Sequence, residues 1–549
     1  MNPRRRVLLL GAAFVLIAAC ADTDQGVTAG RSEEAVAAPD PDETEPDETG
    51  SDETSADTDP DHTEPDATEP DDTEPAATEP IDTEPPTTDP LEPPEDTTPP
   101  PDPTQQLIDF GGEKTPQSYD NFLAAAFIDV TAYWEEQFPA IYDGAEFVPV
   151  SRIFAHYPTR SELPEIACVG EIPYESAELN AFYQACNGPD GLADTGADII
   201  VYDDELLFPT LSEKLGDAAL GIVVAHEYGH AISARAGEFD REPPLPTVDT
   251  EQQADCFAGA WAAHVARGES ALLPAFGDEE VKAGLAAMIE VRDPVGFDPA
   301  DPRSHGTAFD RVGAFQEGFR NGTERCRDFT RGKPNPRIDL VFTSLDFETG
   351  GNLPYDDILE LLPPSLDTFW MPTLESSGVP FTPPTLVSFP TDGPYPECRD
   401  LTGPELKNRA VFCPESNTIA YDDDFVRELY QRHGDLSFGY PIAGAYSDAV
   451  QASLGFTLTG EPQVLLSDCL IGAWVIDIAP VSGSDPPEAN NPEQQILLSA
   501  GDLDEVVLTA VLLGDNTTDT NQVGTAFEKI DAFRTGVLAG LPGCQERFA

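Results

Sequence analysis

Residues 220–230, LGIVVAHEYGH, place two histidines four positions apart inside an apolar stretch. On a helix, His226 and His230 lie one turn apart on the same face, so both imidazoles can reach one ion. Glu227 lies beside them and can accept a proton from a water molecule. Two buried histidines without a partner would be costly to desolvate, and the chain has only seven histidines. The stretch therefore predicts a buried helix that binds Zn²⁺.

A third protein ligand would leave one tetrahedral position open for water. The segment Glu251-Gln252-Gln253-Ala254-Asp255 supplies a candidate, because apolar residues at helical spacing follow it. That spacing puts Glu251 and Asp255 on adjacent turns of one helix face. We expect Glu251 to ligate the metal and Asp255 to accept the free ring N–H of a ligand histidine. On its own, this helix would be read as a solvated acidic face against an ordinary core.

These segments resemble the putative neutral zinc metallopeptidase family, together with the Cys168/Cys186 region, Ser304-His305-Gly306-Thr307 and the string Ala254-Asp255-Cys256-Phe257-Ala258-Gly259-Ala260-Trp261. The family is similar to the larger group of HExxH peptidases whose third zinc ligand is a glutamate. The resemblance implies a zinc-dependent peptidase with ligands His226, His230 and Glu251 and with Glu227 as general base.

An internal repeat organises the rest of the chain. Tyr119 and Trp134 recur as Tyr355 and Trp370, both at an offset of 236. Other matched stretches are residues 200–204 with 419–423, 255–261 with 468–474, and 306–309 with 524–527. Because the order is kept throughout, we predict one unit present twice, at residues 105–332 and 333–549.

The second copy lacks the residues that a metal mechanism would use. At an offset of 218, HEYGH is replaced by Gly444-Ala445-Tyr446-Ser447-Asp448, and at 213 Glu251 falls on Val464. His305 falls on Val523, so it could be a further catalytic participant that hydrogen-bonds an anionic oxygen. An equally simple reading makes His305 a loop histidine on the surface. We predict a catalytically inactive second copy.

Eight of the nine cysteines divide equally between the two copies, and an even number per unit in an exported protein indicates disulfides. We favour four bonds within the copies. The expected pairs are Cys168–Cys186, Cys256–Cys326, Cys398–Cys413 and Cys469–Cys544. A cysteine zinc site is the rival interpretation, but the chain has no CxxC pair.

The N-terminus predicts export. Arg4, Arg5 and Arg6 precede a short apolar stretch that ends in Ile17-Ala18-Ala19-Cys20, and this resembles the lipobox of a bacterial lipoprotein signal. The resemblance implies a signal peptide at residues 1–20, lipid attachment at Cys20, and a location on the outer face of the cell membrane. The alternative is an ordinary secretory signal with a chance cysteine.

Residues 21–104 contain 29 acidic residues and one arginine, with recurring Thr-Glu-Pro-Asp motifs. Such a segment has too few apolar side chains to offset its ordering entropy, so we expect a disordered, self-repelling tether. A tail that binds a basic partner is the less favoured reading. The formal net charge of the whole chain is −73, which argues against nucleic acid as a partner.

We expect an α+β fold that is mainly helical, with a small sheet in each copy near residues 199–202 and 419–421. The expected function is a zinc endopeptidase that acts on proteins or peptides and touches the membrane only through its lipid anchor. The alternatives are a non-catalytic surface protein with a structural zinc, or a peptidase-like chaperone. Substrate preference, regulation and oligomeric state do not follow from the residues.

Overall fold

The computed structural model describes residues 108–160, 172–187, 193–298, 301, 304–338, 340, 342, 346–398, 401–481, 488–514 and 524–548. The signal peptide with Cys20, the acidic tether and the predicted Cys168–Cys186 bond lie outside the described residues and side chains. Among the described residues, no helix is long and apolar enough to cross a membrane.

Helices dominate both halves of the folded part, as predicted for a mainly helical α+β fold. The first half contains strands β1 Ile108–Asp109, β2 Arg152–His156, β3 Ala181–Asn187 and β4 Ala193–Asp203, with helices α1 Asp120–Ile141, α2 Leu207–Leu215, α3 Asp217–Arg235, α4 Thr247–Ala266, α5 Asp278–Glu290 and α6 Ala308–Phe329.

After one helical turn at Asp346–Thr349, the second half contains helices and strands in the same order from the long first helix onward. These are α7 Tyr355–Ser376, β5 Thr385–Phe389, β6 Ala410–Cys413, β7 Thr418–Asp422, α8 Asp423–His433, α9 Asp435–Leu454, α10 Glu461–Ile478, α11 Asp502–Leu513 and α12 Ala526–Phe548.

The two small sheets share one pairing pattern. In the first sheet, with strand order β1-β2-β4-β3, β4 pairs parallel with β2 and antiparallel with β3. In the second sheet, with order β5-β7-β6, β7 pairs parallel with β5 and antiparallel with β6. The predicted strand regions around residues 199–202 and 419–421 therefore lie in the central strands, and β3 forms an edge of the first sheet.

Glycines let the helices of the first half approach closely enough to build a site. A β-carbon at Gly229 in α3 would lie 2.8 Å from Cα of Ala254 in α4. One at Gly259 in α4 would overlap the carbonyl of Phe315 in α6. The disulfide Cys256–Cys326 joins α4 to α6 near this crossing. Helix α4 is consequently held against α3 on one side and α6 on the other.

Three of the four predicted disulfides fall among the described side chains, and each is formed between the favoured partners. The bonds are Cys256–Cys326, Cys398–Cys413 and Cys469–Cys544. The first and third link equivalent helices in the two halves, α4 to α6 and α10 to α12.

Candidate metal centre

Helix α3 carries the HExxH sequence within a buried segment. Every residue from Ala218 to Ala234 is buried, so both histidines project into the protein and not into solvent. The helix begins with Asp217 in its first turn and ends with Arg235 in its last, charges that suit the helix dipole at each end. The local sequence therefore favours a rigid helix as the base of the site.

Three side chains from α3 and α4 meet at one point. The Nε2 atoms of His226 and His230 are 3.2 Å apart. Nε2 of His226 lies 3.3 Å from Oε2 of Glu251, and Nε2 of His230 lies 3.3 Å from Oε1. All three residues are buried. The structure thus brings together the three residues that the sequence predicted as zinc ligands.

The spacing of these atoms fits a tetrahedral zinc ion. Zinc–nitrogen and zinc–oxygen bonds of about 2.0–2.1 Å give a regular tetrahedron with edges of roughly 3.3 Å. The two Nε2 atoms, 3.2 Å apart, match one edge, and each Nε2 lies 3.3 Å from a different oxygen of Glu251, so the carboxylate faces both imidazoles. Two imidazoles and one carboxylate are also a donor set typical of catalytic zinc.

Asp255 orients His226. Its Oδ1 lies 2.7 Å from Nδ1 of His226, so the ring donates its Nδ1–H outward and directs the Nε2 lone pair to the centre. Burial lowers the pKa of His226, but the charge and hydrogen bonds of Asp255 and Glu251 outweigh burial and raise the pKa to about 10. The surroundings of this imidazole therefore favour positive charge, whether a proton or a metal ion.

Sequence reasoning did not identify Arg311, which fixes Asp255. Its guanidinium donates two hydrogen bonds to the carboxylate, at 2.9 Å from Nε and 2.8 Å from Nη2. Both residues are fully buried, and a third bond runs from Nη1 to the carbonyl of Val291 at 2.6 Å. The predicted repeat did contain an indication of this residue, since the offset of 218 places another cation, Lys529, on Arg311.

Glu251 is held in its charged form. Burial raises the pKa of Glu251, but the charges of His230 and His305 and hydrogen bonds with His226 and His230 leave it well below the usual value. A carboxylate that stays ionised in a buried site needs a cation nearby. This is the electrostatic environment of a metal ligand.

Glu227 has a different environment from Glu251. Burial and the charge of Glu251 raise the pKa of Glu227, although His226 and His230 act in the opposite direction. The backbone of Tyr183 in edge strand β3 also acts to lower the pKa of Glu227. A carboxyl group whose pKa is raised toward neutrality is suited to taking up a proton.

His305 acts on the third member of the cluster, because its charge lowers the pKa of Glu251. Nδ1 of His305 is 3.3 Å from Oδ1 of Asp293, and Oδ2 accepts the backbone N–H groups of His305 and Gly306 at 2.8 Å each. His305 is buried, which differs from a surface loop histidine. Its part in catalysis stays a prediction.

The matched relatives are described only as uncharacterized. YpfJ of Escherichia coli K12 is 31% identical over 150 residues, which cover 24% of this chain and 52% of that protein. Rv2575 of Mycobacterium tuberculosis H37Rv is 32% identical over 152 residues, with the same two coverages. The chain thus spans about half the length of the curated relatives it matches. No solved structure matches it.

The family comparison covers the elements that build the centre. The match begins in β3, includes α3 and α4, and ends with α6, so it contains the three candidate ligands, Glu227, Asp255 and Arg311. Residues 184–329 match the model of the putative neutral zinc metallopeptidase family, the same family that the sequence motifs resemble.

Proposed function

We propose that this chain is a zinc-dependent endopeptidase that hydrolyses peptide bonds with Glu227 as general base. The observation that carries the proposal is the buried cluster of His226, His230 and Glu251, in which the two Nε2 atoms are 3.2 Å apart and each lies 3.3 Å from an oxygen of Glu251. A second carboxylate, Glu227, is next to His226 in the sequence. The match to a zinc metallopeptidase family supports the same chemistry.

The ligand count favours catalysis over the alternative of a structural zinc. A structural site usually closes all four positions with protein ligands, whereas a catalytic site keeps one open. Among the described residues, the group of ligand-type side chains at this centre has three members, His226, His230 and Glu251.

When bound, zinc would supply a Lewis acid that polarises the substrate carbonyl and lowers the pKa of water. His226, His230 and Glu251 would hold it. Glu227 accepts the proton of the attacking water and passes it to the leaving amine. Asp255, fixed by Arg311, keeps His226 in the tautomer that directs Nε2 inward.

An extended substrate can bind along β3. This strand lies at the edge of the first sheet, so one side has backbone groups that do not pair with β4. The backbone of Tyr183 in β3 acts on the pKa of Glu227, which indicates that this strand runs beside the general base. A peptide that pairs with this edge would pass the general base, with main-chain hydrogen bonds providing affinity.

The second half is proposed to be a degenerate copy that binds no zinc. Its helices and strands follow the same order and pairing as those of the first half. At the ligand positions it has Gly444, Asp448 and Val464. Export, the lipid anchor at Cys20 and a location on the outer face of the cell membrane complete the proposal, on the basis of the N-terminal sequence.

The direct test replaces Glu227 by Gln, which keeps the shape and removes the base. Glu227→Gln should keep zinc bound and lose about 10²–10⁴-fold in the rate of cleavage of an unfolded protein substrate. His226→Ala is the matched variant and should lose both zinc and activity. Unchanged cleavage by Glu227→Gln, or loss of its zinc, would contradict the assignment.

A further inference from the structure

The second half supplies hydrogen-bond acceptors to the N-terminus of α6. The amide N–H of Phe309 donates to Oδ1 of Asp504 in α11 at 2.9 Å. The neighbouring backbone of Ala308 also acts to lower the pKa of this carboxyl group. Thr307 caps only the next amide, that of Asp310, at 3.2 Å. Because the first amides of a helix have no partner within it, Asp504 acts as a cap that comes from the other half of the chain.

Arg534 in α12 holds the same turn from another side. Its guanidinium donates to the carbonyl of Phe309 and lies 4.2 Å from the centre of the Phe309 ring. It also fills the space beside Gly313, where a β-carbon would overlap it. Phe309 and Gly313 are four residues apart and share one face of α6. The second half therefore packs against this face of α6 along the first turns of the helix.

The opposite side of the same turn reaches the metal centre. Arg311 holds Asp255, which in turn orients His226. Asp504 also contacts the loop before α6, because its Oδ2 lies 3.6 Å from Nε of Arg292. The next residue in that loop, Asp293, binds His305. Displacement of the first turn of α6 would thus move both Arg311 and the His305 loop.

The contacts that each half makes to the helix start of the other half are only partly reciprocal. Gln316, which corresponds to Arg534 at the offset of 218, donates to the carbonyl of Phe527 at 2.8 Å, so that pair of contacts is reciprocal. The cap is not reciprocal: among the described residues, no side chain of the first half accepts from the corresponding amides of Ala526 and Phe527. The side-chain bonds at this end of α12 are local, 3.2 Å from the Glu528 amide to Thr525 and 3.1 Å from the Thr525 amide to Glu528.

We propose that Asp504 and Arg534 are positioning residues for the metal centre of the first half, acting through the first turn of α6 and Arg311. The inactive half is then a required part of the active one. This inference rests on the proposed zinc peptidase function and adds a role for the second half that the ligand geometry alone does not imply.

The test uses three single variants of the full chain. Asp504→Leu removes both acceptor oxygens, Asp504→Asn keeps one oxygen for the cap, and Arg320→Met removes a 2.6 Å ion pair with Asp531 elsewhere in the same interface. For each variant, zinc affinity is measured by competition with a chelator, amide hydrogen exchange at Ala308 and Phe309 is measured without metal, and kcat and KM are measured separately.

Asp504→Leu should speed exchange at both amides about tenfold, weaken zinc binding about tenfold and lower kcat by a similar factor, with KM within about twofold. Asp504→Asn should restore zinc affinity to within about threefold of the unmodified chain, and Arg320→Met should leave it unchanged. Faster exchange in Asp504→Leu with unchanged zinc affinity and kcat would overturn the inference, as would equal weakening in Arg320→Met. If the unmodified chain bound no zinc, the proposed function itself would fail, which is a distinguishable result.

Discussion

The two halves of the folded chain share equivalent structural contacts, but they differ in the residues at the centre: only the first half has His226, His230 and Glu251 there. In the first half, Trp261 donates to Asp129 at 2.9 Å, and in the second Trp474 donates to Ser365 at 3.0 Å. Equivalent disulfides join α4 to α6 and α10 to α12. Both α6 and α12 change direction at a glycine with positive φ, Gly322 and Gly540. The packing of the helices is therefore shared by the half that contains His226, His230 and Glu251 and the half that lacks them.

The difference between the halves lies around one carboxylate. Asp255 pairs with Arg311 and His226, whereas Asp468 lies 3.6 Å from Lys529 and accepts from Tyr440 at 2.5 Å. Burial raises the pKa of both carboxyl groups, but the partners of Asp255 bring its pKa below the usual value, while those of Asp468 leave its pKa raised. A carboxylate–cation pair thus persists without the ligands, but only the first half stabilises it as an anion.

Replacing Glu251 by valine, the residue at the corresponding position of the second half, should have the largest effect on peptidase activity. Glu251→Val gives the first half the residue of the second, and should lower peptidase activity by about 1,000-fold or more, because metal stabilisation is worth several kcal/mol. The reverse change, Val464→Glu, should add no zinc, because Gly444 has no side chain to bind it. Appreciable cleavage by Glu251→Val would remove Glu251 from the ligand set.

Replacing the carboxylate that pairs with a buried cation should affect zinc affinity in the first half and not in the second. Asp255→Asn should weaken zinc binding by about 10–100-fold, whereas Asp468→Asn should leave zinc affinity unchanged. Both variants leave a buried cation, Arg311 or Lys529, without its full partner, so both should melt at a lower temperature. Chelator competition and thermal unfolding separate the two effects. Equal zinc affinities in the two variants would show that Asp255 has no special relation to the metal.

The smallest expected effect is a pH dependence that arises in the second half. Oxygen atoms of Asp435, Asp502 and Glu505 lie within 4.8 Å of one another, and all three residues are buried. Burial raises the pKa of Asp435 to about 6, and burial with mutual repulsion raises the pKa of Asp502 and Glu505 well above their usual values.

A raised pKa in the folded state favours folding at low pH, and this contribution is lost as the pH rises through the folded-state pKa. The cluster should therefore stabilise the chain near pH 4 and progressively less at pH 6 and above. Glu505→Gln removes one of the charges, so its melting temperature relative to the unmodified chain should rise between pH 5 and pH 8 by a few degrees, at roughly 2–4 °C per kcal/mol. A difference that is constant with pH would contradict this reading.

The sequence was sufficient for the part of the site that depends on short spacings. His226, Glu227 and His230 lie within one helical turn and a half, and Glu251 and Asp255 occupy one face of the next long helix, so helix periodicity alone groups them. The mainly helical α+β class and the two sheet regions, at residues 199–202 and 419–421, were also predicted and are present in the structure.

The residues of the site that the sequence did not predict depend on contacts between positions far apart in the chain. Arg311 reaches Asp255 across a helix crossing that Gly259 permits, and no local pattern in α6 indicates it. Asp293 binds His305 from a preceding loop, and Asp504 reaches Phe309 from the other half. Such pairings follow from tertiary packing, which the spacing of residues along the sequence does not predict.

The most direct measurement of the central claim is the zinc content of the purified full chain, compared with single variants in each half. The account predicts one tightly bound zinc per chain, no zinc in His226→Ala, and one zinc in Asp448→Ala, which removes the side chain at the position equivalent to His230. Two zinc ions per chain, or a zinc that persists in His226→Ala but is lost in Asp448→Ala, would contradict it.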